Sequence, residues 1–270
     1  MDLVEYKQEV FEKVKAEFSR FTSKFDYKDI HFVPISALKG DNVVEGSLNM
    51  AWYKGGTLMN ILENIPIEQD IDTKNSRFPV QYVIRPMSEQ FHDYRGYAGR
   101  IAGGTFKKGD NIVVLPSGLK SKINSISLYK TEYDEAFAPM SVNITLEDDI
   151  DISRGDMIVK EGSEPSISQE LIITLCWMSN KPLKTGIKYT LMHTTKEVKC
   201  IVKEILYKVN VNTTEPIPDD FEVGLNSIAK VSIKTTKPLI FDSYKVNRTT
   251  GSLIIIDEST NETVGVGMIE

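Results

Sequence analysis

A chain of 270 residues, 41% hydrophobic and 26% charged, has room for two or three modest domains and the composition of a soluble globular protein. Its net charge of −6 divides as −2 over residues 1–65, −4 over 66–165 and zero over 166–270, so no third offers the basic face that grips a phosphate backbone. No apolar run approaches the ~18 residues of a membrane span, and the acidic start "MDLVEYKQEV" has neither the basic nor the apolar region of a secretory signal.

Residues 1–65 read as helix, strand, helix. Val10, Phe11, Val14, Phe18 and Phe21 fall on one helical face, with Lys7, Glu9, Glu12, Lys13 and Lys15 on the other. "IHFVPIS" predicts a short strand, and Gly40-Asp41 a loop after it. "TLMNILENI" predicts a second helix, capped by Thr57 and ended by Pro66. Beyond Pro66 the helical period disappears. Runs such as "FPVQYVIR", "AGRIAGG", "NIVVLP", "SKINSISLY", "SVNITLE" and "DMIVKEG" alternate with turn residues and predict an all-β barrel or sandwich over 66–165. "KEGSEPSIS" reads as a linker. A second β series over 166–270 includes "ELIITLCWM", "IKYTLMH", "VKCIVKEILYKV", "SIAKVSIKT", "PLIFDSY", "GSLIIID" and "TVGVGMI". The fold expected is multi-domain, an α/β piece followed by two all-β domains without a sequence repeat.

The stretch that carries chemical information is "FVPISALKGDNVV". A guanine ring is read by a carboxylate that accepts from its N1–H and exocyclic amine, and by backbone N–H groups of a Ser-Ala-x loop that donate to O6; paired edge donors suit a carboxylate. Ser36, Ala37 and Leu38 follow an apolar run, and Asp2 lies one helix upstream, so these four are the candidate guanine-binding residues. The phosphate half is missing: no G-x-x-x-x-G-K-[ST] occurs. Most nucleotide affinity comes from amides and a lysine around the phosphates, with magnesium, so GTP binding by this chain is expected to be negligible.

Other matches fail on chemistry. Asp93-Tyr94-Arg95-Gly96 fits a magnesium-contacting Asp-x-x-Gly but lies in the β region, and Asn180-Lys181 has Leu183 where an Asp is needed. The run "LEDDIDISRGDMI" has Arg154 and Lys160 where a calcium loop needs Gly and Glu, so it reads as a solvated loop in which Arg154 pairs with nearby carboxylates. His31, His92 and His193 lack ligand spacing, and Trp52, Tyr53 and Trp177 read as packing residues. Cys176 and Cys200 sit in apolar runs and read as two buried thiols of a reduced cytosolic protein. No catalytic residue and no metal site is assigned.

Together these segments resemble the GTPase subunit family of two-subunit bacterial sulfate adenylyltransferases, relatives of translation elongation factors. "HFVPISALKGDNV" looks like the end of that family's GTPase domain. "AWYKGGTLMNILENI" is similar to its last helix, although the family usually has Pro at Ala51 and Gly56. "RFPVQYVIRP", "FHDYRGYAGRIAGGTFKKGDNIVVLPSG", "DEAFAP" and "LEDDIDISRGDMI" resemble its second domain. "WMSNKPLKTGIKYTLMHTTKEVKC", "LNSIAKVSIKTTKPLIFDSY" and "NRTTGSLIIIDESTNETVGVGMI" resemble its third.

The resemblance implies a GTPase-domain remnant over 1–65 and two translation-factor β-barrels over 66–165 and 166–270. It implies GTP and magnesium as ligands of the intact parent but none in this N-terminally truncated chain. The parent couples GTP hydrolysis to formation of adenosine 5′-phosphosulfate from ATP and sulfate. The implied partner is a smaller catalytic subunit, in the cytoplasm, with no nucleic acid and no membrane. Two other readings compete. A tRNA-binding elongation factor fragment is disfavoured by the near-neutral to acidic barrels. A stand-alone β-barrel interaction module would leave residues 1–65 dispensable. The remnant is expected to be the least stable part, because its strand has lost its neighbours.

Overall fold

A computed structural model describes residues 1–25, 29–65, 71–86 and 94–270. The chain forms two compact units, Met1–Gln69 and Asp70–Glu270.

In the first unit, a 3-10 turn at Asp2–Val4 leads into helix α1 (Gln8–Thr22), and helix α2 (Leu58–Asn64) follows a long irregular stretch. The hydroxyl of Thr57 accepts from the Asn60 amide at 3.3 Å, the expected cap. Pro66 lies outside the described residues. The apolar face of α1 is only partly covered. Phe11 packs its ring 5.5 Å from Trp52 and Phe18 lies 6.0 Å from Phe32, yet Val14 is 59% and Phe18 50% exposed.

The expected strand "IHFVPIS" does not form. Among the described residues its one bridge is local, Ser36 opposite Asp41. A strand needs a neighbour to satisfy its ladder groups, and among the described residues of this unit none offers one, so β propensity alone leaves the segment irregular.

The second unit is two closed antiparallel barrels. The first holds β1 (Arg77–Ile84), β2 (Gly96–Arg100), β3 (Thr105–Lys107), β4 (Asn111–Leu115), β5 (Leu119–Leu128), β6 (Thr131–Tyr133), β7 (Glu135–Phe137), β8 (Ser141–Leu146) and β9 (Met157–Lys160). Its strands run β4-β9-β1-β2-β8-β5, and β4 pairs back with β5 to close six strands. β6 continues from β5, and β3 pairs with β7. The second holds β10 (Ser166–Trp177), β11 (Lys188–His193), β12 (Lys196–Val209), β13 (Pro216–Ile217), β14 (Ile228–Phe241), β15 (Ser252–Ile256) and β16 (Thr263–Ile269). Its order is β11-β15-β16-β10-β14-β12, closed by β11 against β12.

Period-two alternation turns one face of each strand inward. In β10, Leu171, Ile173, Leu175 and Trp177 are buried while Ile172 is exposed. The indole of Trp177 donates to the Lys181 carbonyl at 2.7 Å, so its polar edge is satisfied inside the core. Phe78, Tyr97, Phe106 and Ile144 anchor the first core.

The runs "SIAKVSIKT" and "PLIFDSY" are one strand, β14, despite Pro238. Pairing with β10 shifts between Ser168 and Glu170, and there side chains replace the ladder. Thr235 Oγ1 donates to the Lys237 carbonyl at 2.8 Å and Gln169 Nε2 to the Thr236 carbonyl at 3.1 Å. A bulge is where a proline, which has no N–H, fits a strand.

A buried seam joins the barrels. The Arg77 guanidinium grips the Asp242 carboxylate with two bonds, Nε–Oδ2 2.8 Å and Nη2–Oδ1 2.9 Å. Their side chains are 3% and 9% exposed. Thr250 Oγ1 donates to the same carboxylate at 2.7 Å, and Asn247 Nδ2 reaches across to the Ala102 carbonyl at 2.9 Å. Beside them Ile240 packs with Val113, Leu115, Met157 and Val159.

Candidate functional site

The segment from Pro34 to Ser47 is shaped by its own polar groups rather than by a sheet. The Ser36 carbonyl accepts from the Gly40 amide at 2.8 Å, and the Ser36 amide donates to the Asp41 carbonyl at 3.1 Å. Ser36 Oγ also accepts from the Lys39 amide at 3.2 Å. This closes a tight loop with Ala37, Leu38 and Lys39 at its tip. Gly40, at φ 78°, and Asn42, at φ 55°, supply the left-handed turns, which Gly and Asn adopt most readily.

The structure brings two of the four candidates together. Ser36 is buried, and its hydroxyl donates to Asp2 Oδ1 at 2.7 Å. That bond is the main cause holding the Asp2 carboxyl below its ordinary range. Met1 N lies 2.7 Å from the Ile35 carbonyl, so residues 1–2 lie against 35–36. Ala37 and Leu38 point outward, Leu38 at 83% exposure. Their amides have no acceptor among the described residues. The loop therefore displays two free N–H donors next to a carboxylate held in its charged form.

Sequence reasoning missed what supports this loop. The Asp41 carboxylate accepts from Tyr6 Oη at 2.9 Å and from Ser47 Oγ at 2.5 Å. Those bonds, Ser47 first, lower the Asp41 pKa, and the same contact raises that of Tyr6. The buried Asn42 amide donates to the Pro34 carbonyl at 3.0 Å and accepts from the Ser47 amide at 2.7 Å. Trp52 Nε1 donates to the Tyr6 carbonyl at 3.1 Å. The available signal was the run Gly40-Asp41-Asn42, whose Asx residues bind nearby backbone.

Fit to a guanine nucleotide is confined to the base. Two loop amides and one carboxylate suit the ring's O6 and its N–H edge. No phosphate-binding loop exists in the sequence, and among the described residues no cluster of three His, Cys, Asp or Glu side chains could hold a metal. No chemical step is assigned to a nucleotide here.

Other candidates take structural positions. His31 pairs with Asp29 at 2.9 Å at the surface. His193 is buried with Nε2 2.7 Å from the Thr250 carbonyl, and burial lowers its pKa. His92 and Asp93 lie outside the described residues. Tyr94 accepts from Asn143 Nδ2 at 2.7 Å and Gly96 opens β2.

Arg154 corrects an expectation. It donates to the Thr195 carbonyl at 3.3 Å, while the carboxylates Asp149 and Asp151 pair with Arg95 and Arg85. The Arg154 guanidinium is thus engaged by the hairpin turn of the second barrel. The cysteines are also not alike. Cys200 is buried and its thiol pushed up to about 12, whereas Cys176 takes an outward position on β10 and is half-buried.

Comparison with known proteins fits this architecture. Residues 170–270 match the family described as GTP-eEF1A C-terminal domain-like. The chain is 44% identical over 269 residues to sulfate adenylyltransferase subunit 1 of Alteromonas mediterranea, covering all of this chain and 56% of that protein. The protein of that name from Pseudoalteromonas atlantica is 45% identical with the same coverage. The bifunctional enzyme CysN/CysC of Mycobacterium tuberculosis is 43% identical over 270 residues, and 44% of it is covered.

The chain thus spans about half the length of the curated relatives it matches. A solved structure of Sup35 complexed with GDP superposes with a TM-score of 0.66 at 17% identity, over 98% of this chain and 65% of that one. That likeness shows the fold alone. Among the described residues no helix is long and apolar enough to cross a membrane. Along its whole length the chain is 44–45% identical to proteins named sulfate adenylyltransferase subunit 1.

Proposed function

We propose that this chain is the β-barrel part, with a remnant of the GTPase domain, of a sulfate adenylyltransferase regulatory subunit. In the complete assembly GTP hydrolysis drives formation of adenosine 5′-phosphosulfate and pyrophosphate from ATP and sulfate on a smaller cytoplasmic partner subunit. The observation that carries the reading is identity of 44–45% across the whole chain to proteins named sulfate adenylyltransferase subunit 1. Residues 1–65 are the remnant, 66–165 and 166–270 the two barrels. Asp2 and the Ser36-Ala37-Leu38 loop are the base-reading half of the nucleotide site. Its amides and carboxylate suit guanine in kind, and its lack of a phosphate half leaves this chain without GTPase activity of its own.

Calorimetric titration with GTP and magnesium tests the last point: no heat is expected, and micromolar affinity would overturn it. Titration with the smaller subunit tests the first: a 1:1 complex is expected, and its absence up to ~100 μM would overturn the assignment, since specific assemblies lie well below that.

A further inference from the structure

The second barrel has two unlike outer faces. β12 and β14 turn charges outward: Lys199, Lys203, Lys230 and Lys234 each pair with a glutamate, and Glu197 and Glu204 are exposed beside them. β15, β16 and the second half of β10 do not. Their outward positions are Ser252, Ile254 and Ile256, then Thr263, Val266 and Met268, then Ile172, Thr174 and Cys176. None of these is charged.

Register gathers the apolar ones. Ile254 lies opposite Val266 and Val266 opposite Cys176, at one level across three strands. One step along, Met268 lies between Ser252 and Thr174. Ile172 is 47% and Val266 37% exposed, and Met178, just past β10, is 50% exposed. The inner faces of the same strands already fill the core, so these outward side chains have no part in closing it. A contiguous apolar patch with a polar rim marks a protein contact.

The rim is mostly neutralised. Glu270 is held by Lys230 and accepts from Thr174 Oγ1 at 3.0 Å. Glu258 pairs with Lys199 at 3.1 Å, and Asp257 accepts from the Ser259 amide at 2.7 Å. Glu262, at one end of the face, is exposed without a partner among the described residues.

An uncharged apolar face is complementary to a copy of itself across a two-fold axis. Net charge favours the same contact. The −6 of the chain falls on residues 1–165, and residues 166–270 sum to zero, so two copies meeting here bring together their least repulsive thirds. Three strands at ~4.8 Å spacing and about seven residues at ~3.4 Å rise give a face of roughly 15 by 25 Å. Counted on both copies that is roughly 700 Å², short of the about 1,200 Å² of a stable interface and in the range of a weak one.

We propose that the outer face of β15, β16 and β10 is a self-association surface, packed against the same face of a second copy of this chain across a two-fold axis near Val266 and Cys176. The dimer is weak and does not depend on the sulfate adenylyltransferase reading.

Sedimentation equilibrium of the full chain from ~1 μM to ~1 mM tests it, with an expected dissociation constant of ~10–100 μM. Val266→Lys and Met178→Lys, both at exposed positions, are expected to melt with the parent chain and to weaken the dimer at least ~10-fold. A short bis-maleimide is expected to join two copies through the half-buried Cys176, whereas Cys200 is buried with its thiol pushed up to about 12. Cys176→Ser should therefore lose the cross-linked product and Cys200→Ser keep it. A parent chain that stays monomeric throughout overturns the proposal, as does a dimer that persists in both lysine variants or forms without the Cys176 cross-link. A dimer kept in Val266→Lys but lost in Phe18→Lys would place the contact on α1 instead. Binding of the purified smaller subunit that Val266→Lys abolishes, with no dimer of the parent chain, would give the face to that subunit and end the self-association reading.

Discussion

The two units solve the same problem unequally. The barrel unit closes each of its two six-stranded barrels: β4 returns to β5 and β11 to β12, so neither barrel has an open seam. The Met1–Gln69 unit has two short helices, an irregular stretch where a strand was expected, and among its described residues one large buried apolar side chain, Met50. Apolar residues are as plentiful in α1, six of fifteen, as in the barrel strand β5, four of ten. Closure rather than composition makes the difference, since a helix with an apolar stripe gains stability only from what covers the stripe.

The largest break in this contrast lies in the barrel seam. Arg77→Ala strands the buried Asp242 carboxylate and is expected to cost ~3–5 kcal/mol, measured by urea unfolding of the barrel unit. Replacing both partners, Arg77→Met with Asp242→Leu, is expected to recover most of that loss. Next comes a matched pair of truncations. Ile173→Ala, in the second core, is expected to cost ~2–5 kcal/mol. Val14→Ala on α1, half in solvent, should change stability by less than ~0.5 kcal/mol. Equal losses at both sites would erase the contrast drawn above.

A smaller effect follows from His193. Its folded pKa lies below the unfolded ~6.5, so the unfolded chain binds the extra proton first. The stability this contributes is full above ~6.5 and is lost as pH falls from there toward the folded pKa. Asp242 opposes the shift and Lys196 adds to it, so the slope reports their balance as well as burial. His193→Gln should flatten unfolding free energy against pH in that window. The smallest expected change is at the base loop. Ser36→Ala should raise the Asp2 carboxyl toward its ordinary value in an NMR titration, because the hydroxyl bond is the leading cause of its depression. No change would mean that the Asp2–Ser36 contact is absent in solution.

Much of the fold could be read from the sequence, because barrel strands carry their own period. Leu171, Ile173, Leu175 and Trp177 alternate cleanly, and Thr57 announces α2. What could not be read depends on partners remote in sequence. "IHFVPIS" has the composition of a strand and no neighbour to pair with. Pro238 looked like a break, yet Thr235 and Gln169 supply the hydrogen bonds that carry β14 past it. The short β3, β6, β7 and β13 have too few residues to show a period. At the candidate site Ser36 and Asp2 were legible as a pair. The Tyr6–Asp41–Ser47 bonding that holds the loop was not, because it joins residues that only the fold brings together.

The seam of Arg77, Asp242, Asn247 and Thr250 bears on how the molecule comes apart. Freeing one barrel would expose an ion pair, an inter-barrel amide bond and the Ile240 contacts in one step. Neither barrel can melt without presenting the other with an unpaired buried charge. The pair is therefore expected to give a single calorimetric transition whose enthalpy belongs to both, and Arg77→Met with Asp242→Leu tests whether charge or packing enforces that unity.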